Sequence, residues 1–187
     1  MKIEANDIKI GNVIEHNKKF WQILKTAHTQ PGKGGAYIQV EMKEIPSGIK
    51  SNHRFRSSET VEKIRLDQKE YQYLYMEGNN IALMDKKTYE QIFIEKKFLE
   101  NQLNFLREGM DVFVESYDNA PLTASLSETI TMTVKECEPI VKGQTAASSY
   151  KSAILENGLR IMVPPFINTG DKITVNTKTQ EYVERIK

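Results

Sequence analysis

Apolar and polar residues alternate with a period of two through much of this chain. Ala36, Ile38, Val40 and Met42 fall on one side of an extended segment, and Tyr37, Gln39, Glu41 and Lys43 fall on the other. Successive side chains of a strand point to opposite faces, so this pattern predicts a half-buried β-strand. Upstream, Phe20-Trp21-Gln22-Ile23-Leu24 reads as a second strand. The two can pair as a hairpin whose far end holds Pro31-Gly32-Lys33-Gly34-Gly35. Pro31 fixes one φ angle, and Gly32, Gly34 and Gly35 add no side chains, so the tip is slim and presents Lys33. Two readings stand: an ordinary Gly-rich turn with a solvated lysine, or a device that carries an amine into a narrow space. A phosphate-binding P-loop does not fit. Gly34 follows Lys33 where a Ser or Thr is needed, and Ala27 stands where the first glycine belongs.

The same pattern divides the rest of the chain. Before the hairpin, Ile8-Lys9-Ile10 and Val13-Ile14 read as short strands about a Gly11-Asn12 turn. After it come a break at Pro46-Ser47-Gly48, the basic stretch from Lys50 to Arg56, and a strand at Val61–Ile64. Short strands with turn signals over residues 1–64 predict a small SH3-like barrel. Residues 65–126 hold Tyr71, Tyr73 and Tyr75 on one face of a strand, a Gly78-Asn79-Asn80 turn, and a return strand at Ile81–Met84. Thr88 and Gln91 suggest a capped helical turn, and Phe98, Leu99, Leu103 and Leu106 a short helix ended by Gly109. A hairpin turns at Asp118-Asn119. Residues 127–187 carry five short strands, one pair joined by Asn157-Gly158, which matches a small closed barrel such as an OB-fold. The expected fold class is all-β, with three small β-barrel domains at 1–64, 65–126 and 127–187.

Composition narrows the chemistry. The 187 residues are 39% hydrophobic and 27% charged, as in a globular protein, and no run approaches the ~20 apolar residues of a membrane helix. The first residues hold no apolar signal core, and Cys137 is the only cysteine, so a reducing cytoplasmic setting is expected. A net charge of +1 leaves nucleic-acid contact to local patches. The basic stretch with Lys50, Arg54 and Arg56 around Phe55 reads either as a solvated face or as a phosphate-binding patch. The three tyrosines read either as strand packing or as a stacking platform for bases. His16, His28 and His53 have neither metal-ligand spacing nor cysteine neighbours, and the carboxylates are dispersed. No catalytic group, metal site or cofactor site is nominated.

These segments together resemble the bacterial elongation factor P family. The resemblance runs through Pro31-Gly32-Lys33-Gly34, Phe55-Arg56-Ser57 and Tyr73-Leu74-Tyr75. It is most specific from Lys151 to Gly158, at Ile161-Met162-Val163-Pro164, Phe166-Ile167 and Gly170-Asp171, and at Tyr182-Val183-Glu184-Arg185. It covers essentially the whole chain. The resemblance implies an SH3-like domain of the KOW type followed by two OB-folds. It implies a monomeric, non-enzymatic translation factor that binds the ribosome between the P and E sites. Such a factor contacts peptidyl-tRNA and relieves stalling at consecutive prolines. It further implies that Lys33 reaches toward the peptidyl-transferase centre and carries a covalent β-lysyl group, added by an enzyme similar to a lysyl-tRNA synthetase. Lys50, Arg54 and Arg56 are then expected to hold tRNA or rRNA phosphates. Gly143-Gln144-Thr145 stands where the family has Gly-Asp-Thr near the E-site codon, and Gln180 where it has a turn glycine. Two other classes remain as alternatives: a single-strand RNA binder built from OB-folds, and a carrier of a lysine-linked prosthetic group.

Overall fold

The computed structural model describes residues 1–30, 35–138 and 150–186. They form an all-β protein of three sheets. The first has six strands: β1 (Lys2–Glu4), β2 (Val13–His16), β3 (Lys19–Thr29), β4 (Tyr37–Ile45), β5 (Lys50–Arg56) and β6 (Thr60–Ile64), in the order β1-β6-β2-β3-β4-β5. The second has β7 (Asp67–Glu77), β8 (Asn80–Asp85), β9 (Gln91–Glu95), β10 (Asp111–Tyr117) and β11 (Ala120–Ser125), in the order β11-β10-β7-β8-β9. The third has β12 (Thr129–Cys137), β13 (Lys151–Leu155), β14 (Arg160–Val163), β15 (Lys172–Asn176) and β16 (Tyr182–Arg185), in the order β14-β13-β12-β15-β16. By contacts the chain divides into two compact units, residues 1–69 with 114–124, and residues 70–113 with 125–187.

In the first unit the alternation of β4 sets the core. Ile38, Val40 and Met42 are buried, together with Ile14, Ile23, Phe55 and Val61. Burying a side chain the size of Phe55 contributes about 3 kcal/mol, so this inward face fixes the register of the strands. The two-residue turn Asn17-Lys18 has positive φ at both positions, the geometry that matches strand twist in a tight hairpin. Trp21 closes over it, with Nε1 donating to the His16 carbonyl at 3.0 Å. A second cluster joins Val13, Ile45, Ile64 and Leu122.

Three local expectations change. Residues 8–10 are not a strand: Ile8 is buried but Ile10 is exposed, and the chain turns there to pair further on. The predicted helical turn at Thr88 is instead a turn held by Asp85 Oδ1, which accepts the Lys87 and Thr88 amides, and Gln91 opens β9. The predicted short helix over 98–106 forms as two 3-10 helices, Lys96–Phe98 and Glu100–Phe105.

The second unit is organised on a buried polar link. Gln102 Nε2 donates to Thr177 Oγ1 at 2.6 Å, Gln102 Oε1 accepts the Leu126 amide at 3.2 Å, and the Thr177 hydroxyl reaches the Ser127 carbonyl at 2.8 Å. Around it, Arg107 pairs with Glu156 at 2.8 Å, and Asn157 Nδ2 donates to the Asn104 carbonyl at 2.8 Å.

Candidate nucleic-acid interface

The strands β3 and β4 pair antiparallel from Phe20↔Ile45 to Thr29↔Tyr37, with a shift of register between Ile23 and Lys25. The last pair, Thr29 with Tyr37, lies at one end of the first sheet. Pro31, Gly32, Lys33 and Gly34 lie outside the described residues. Gly35 is exposed, and a Cβ there would meet nothing within 4 Å.

Beside that end runs β5, an edge strand in which outward and inward residues alternate. His53 and Phe55 face inward while Arg54 and Arg56 are exposed. The register places Arg56 opposite Tyr37 and Arg54 opposite Gln39. The Arg54 guanidinium lies over the Tyr37 ring, 4.3 Å from its centre. The following turn is pinned to the base of the hairpin loop. The Ser57 amide donates to the Ala36 carbonyl at 3.0 Å, and Glu59 Oε2 accepts the Arg56 amide at 3.2 Å. Residues 35–37, 54 and 56–58 surround a concavity of about 700 Å³.

The electrostatics single out the two arginines. Lys19 pairs with Glu44 at 3.0 Å and Lys25 with Glu41 at 3.4 Å. Among the described residues no carboxylate pairs with the guanidinium of Arg54 or Arg56. Lys50 sits opposite Lys43 at the other end of β5. It is six positions from Arg56, roughly 20 Å at the rise of a strand. The structure thus brings Arg54, Arg56 and Gly35 together and leaves Lys50 apart. Gly143, Gln144 and Thr145 lie outside the described residues.

Two features of this end were not read from the sequence. The alternation places Tyr37 on the polar face of its strand and no more, because its contact with Arg54 depends on cross-strand register. His16 and His53, which the sequence marks only by their lack of metal-ligand spacing, are half-buried. Their ring centres are 4.4 Å apart, and both rings pack on Phe55. Burial, with the neighbouring His53 charge second, holds His16 below its ordinary pKa, and Glu59 partly opposes this.

Elsewhere, Tyr71 and Tyr73 are buried, so they pack the barrel, while a bulge between Tyr73 and Tyr75 turns Tyr75 outward. Cys137 is half-buried with Sγ 3.6 Å from Thr169 Oγ1. Among the described residues no cluster of three or more His, Cys, Asp or Glu is placed to hold a metal, and no helix is long and apolar enough to cross a membrane.

Comparison with known proteins accounts for all three sheets. A family described as the elongation factor P KOW-like domain matches residues 4–61, the elongation factor P OB domain matches 66–124, and the elongation factor P C-terminal domain matches 130–185. The chain is 52% identical over 185 residues to elongation factor P of Zymomonas mobilis, covering 99% of each chain. It is 50% identical over 188 residues to that of Rickettsia conorii, covering 100% of each. Among solved structures it resembles the eukaryotic translation initiation factor 5A from Methanococcus jannaschii. That match has a TM-score of 0.56 at 21% identity and covers 67% of this chain and 92% of the other, a likeness of fold. With its KOW-like, OB and C-terminal domains matched along nearly its whole length, this chain belongs to the elongation factor P family.

Proposed function

We propose that this protein is a cytoplasmic translation factor that binds the ribosome between the P and E sites. There it contacts peptidyl-tRNA and speeds peptide-bond formation at consecutive prolines. One observation carries the reading: 50–52% identity to elongation factor P over nearly the full chain, in a sequence that holds Pro31-Gly32-Lys33-Gly34. The geometry supports it. A long two-stranded arm runs toward the segment holding Lys33, and two arginines with no carboxylate partner among the described residues lie beside the loop end of that arm.

The chemistry asked of such a factor is positional. Proline is a poor attacking amine, and a nascent proline run strains the peptidyl end. Fixing the acceptor end of the tRNA lowers the entropic part of the barrier without an acid, base or metal on the factor. A lysine amine brings three donors and a point charge to RNA backbone oxygens. A β-lysyl extension of Lys33, added by a lysyl-tRNA-synthetase-like enzyme, would lengthen that stem. Arg54, Arg56 and Lys50 supply cationic contacts to RNA, and Gly143-Gln144-Thr145 approaches the E-site codon. The protein acts as a monomer.

The alternatives have less support. Tyr71 and Tyr73 are buried, which removes most of the proposed base-stacking platform of a plain RNA binder. A prosthetic-group carrier gives no role to the second and third sheets. Sedimentation with ribosomes carrying P-site tRNA tests the proposal. Co-sedimentation that depends on the tRNA supports it, and equal retention by free RNA of any kind opposes it.

A further inference from the structure

Arg54 is exposed, yet its guanidinium is already committed on one side, where it lies 4.3 Å from the centre of the Tyr37 ring. The side chain is otherwise exposed, which leaves guanidinium surface open to a second stacking partner. A guanidinium plane is a stacking surface for an unpaired base, as an aromatic ring is. Backing by Tyr37 holds the plane in place, so little side-chain freedom is left to lose on binding. Arg56 follows on the same face of β5, exposed and without a carboxylate partner among the described residues. The adjoining concavity of about 700 Å³ is large enough for one nucleotide. Ser57 and Ser58 line it with small side chains.

We propose that this face holds a single unpaired nucleotide of RNA, with its base stacked on Arg54 and its phosphate on Arg56. The proposal rests on the reading of the hairpin end as an RNA contact, and adds that the RNA must be unpaired there. A base inside a duplex has no free face to offer, so duplex RNA would present only phosphates. The two arginines then have different work: Arg54 acts through its plane, Arg56 through its charge.

The test titrates the intact protein with adenosine 5′-monophosphate and with ribose 5-phosphate, following the Tyr37 ring protons and the arginine side chains by NMR. The monophosphate should bind about fivefold or more tighter, the increment of one stacked base, and should shift the Tyr37 ring. Ribose 5-phosphate should perturb Arg56 alone. Arg54→Lys keeps the charge and loses the plane, so it should lower nucleotide affinity to that of ribose 5-phosphate and leave the latter unchanged. Equal affinity of the wild-type protein for the two probes overturns the proposal, as does an undiminished preference in Arg54→Lys. Ribosome sedimentation reads the wider function separately. A protein that sediments normally but shows no base preference loses only this site, whereas one that fails to sediment loses the wider reading whichever way the nucleotide result falls.

Discussion

Gln102 and Thr177, 75 positions apart, share a buried hydrogen bond of 2.6 Å. Gln102 uses its other end to accept the Leu126 amide, so one side chain ties the 3-10 segment to the entry of the third sheet. Gln102→Leu keeps the shape and strips both bonds, leaving the Leu126 amide buried and unpaired. It should destabilise the protein by about 1–3 kcal/mol, the cost of an orphaned buried donor, read from the shift of the urea midpoint. A change below ~0.5 kcal/mol would mean that water replaces the link.

His16 makes stability depend on pH in a direction that can be worked out. His16 titrates below its ordinary value of 6.5 in the folded protein, chiefly through burial and then through His53. The unfolded chain therefore binds the proton first as pH falls. The His16 contribution is complete above pH 6.5 and is lost as pH drops through the folded value. His16→Phe retains the backbone carbonyl that Trp21 uses and should flatten this part of the profile. Urea unfolding of both proteins at several pH values from 5 to 8 checks it: identical slopes would remove His16 from the account.

Gln180 adopts φ of 59°. This is the left-handed region, costly for residues with a Cβ. The resemblance had placed a glycine there, and the backbone now gives the reason. Gln180 keeps one compensation, Nε2 donating to the Asn101 carbonyl at 3.0 Å. Gln180→Ala removes the bond and keeps the strain, whereas Gln180→Gly removes both. The glycine variant should be more stable than the alanine variant by about 1 kcal/mol by thermal unfolding. The reverse order would show that the turn tolerates a side chain without strain.

Much of this fold was legible because strands with one buried face must alternate. β4 follows its predicted pattern from Tyr37 to Ile45, and the Asp118-Asn119 and Asn157-Gly158 turns form where turn chemistry placed them. What escaped was set by distant partners. β1 is only Lys2–Glu4 and exists by pairing with Thr60–Glu62, which no local window contains. Thr88 carried a capping signal, but Asp85 claimed the free amides and the pairing of β9 with β8 overrode the helix. At the candidate site the arginines stood out by charge, while Tyr37 was invisible as their companion until register brought β4 and β5 together.

Charge at the loop end of the hairpin should matter for association and little for folding. Arg56→Ala should reduce ribosome affinity and lower the slope of log affinity against log salt by roughly 0.7–0.9, one phosphate contact. Unfolding should move by less than ~0.5 kcal/mol. Lys50 stands at the far end of β5, so its removal should add to that of Arg56 without coupling. An unchanged salt slope in the double variant would return both residues to a merely solvated face.

The central claim is that this protein works through Lys33. Reconstituted translation of two reporters, one encoding Pro-Pro-Pro and one free of proline, tests it most directly with wild type, Lys33→Ala and Lys33→Arg. The account predicts that Lys33→Ala folds normally and loses acceleration on the proline reporter alone. It predicts that Lys33→Arg, which keeps the charge but lacks the primary amine, also fails when the native lysine is β-lysylated. Full acceleration of the proline reporter by Lys33→Ala would contradict the account.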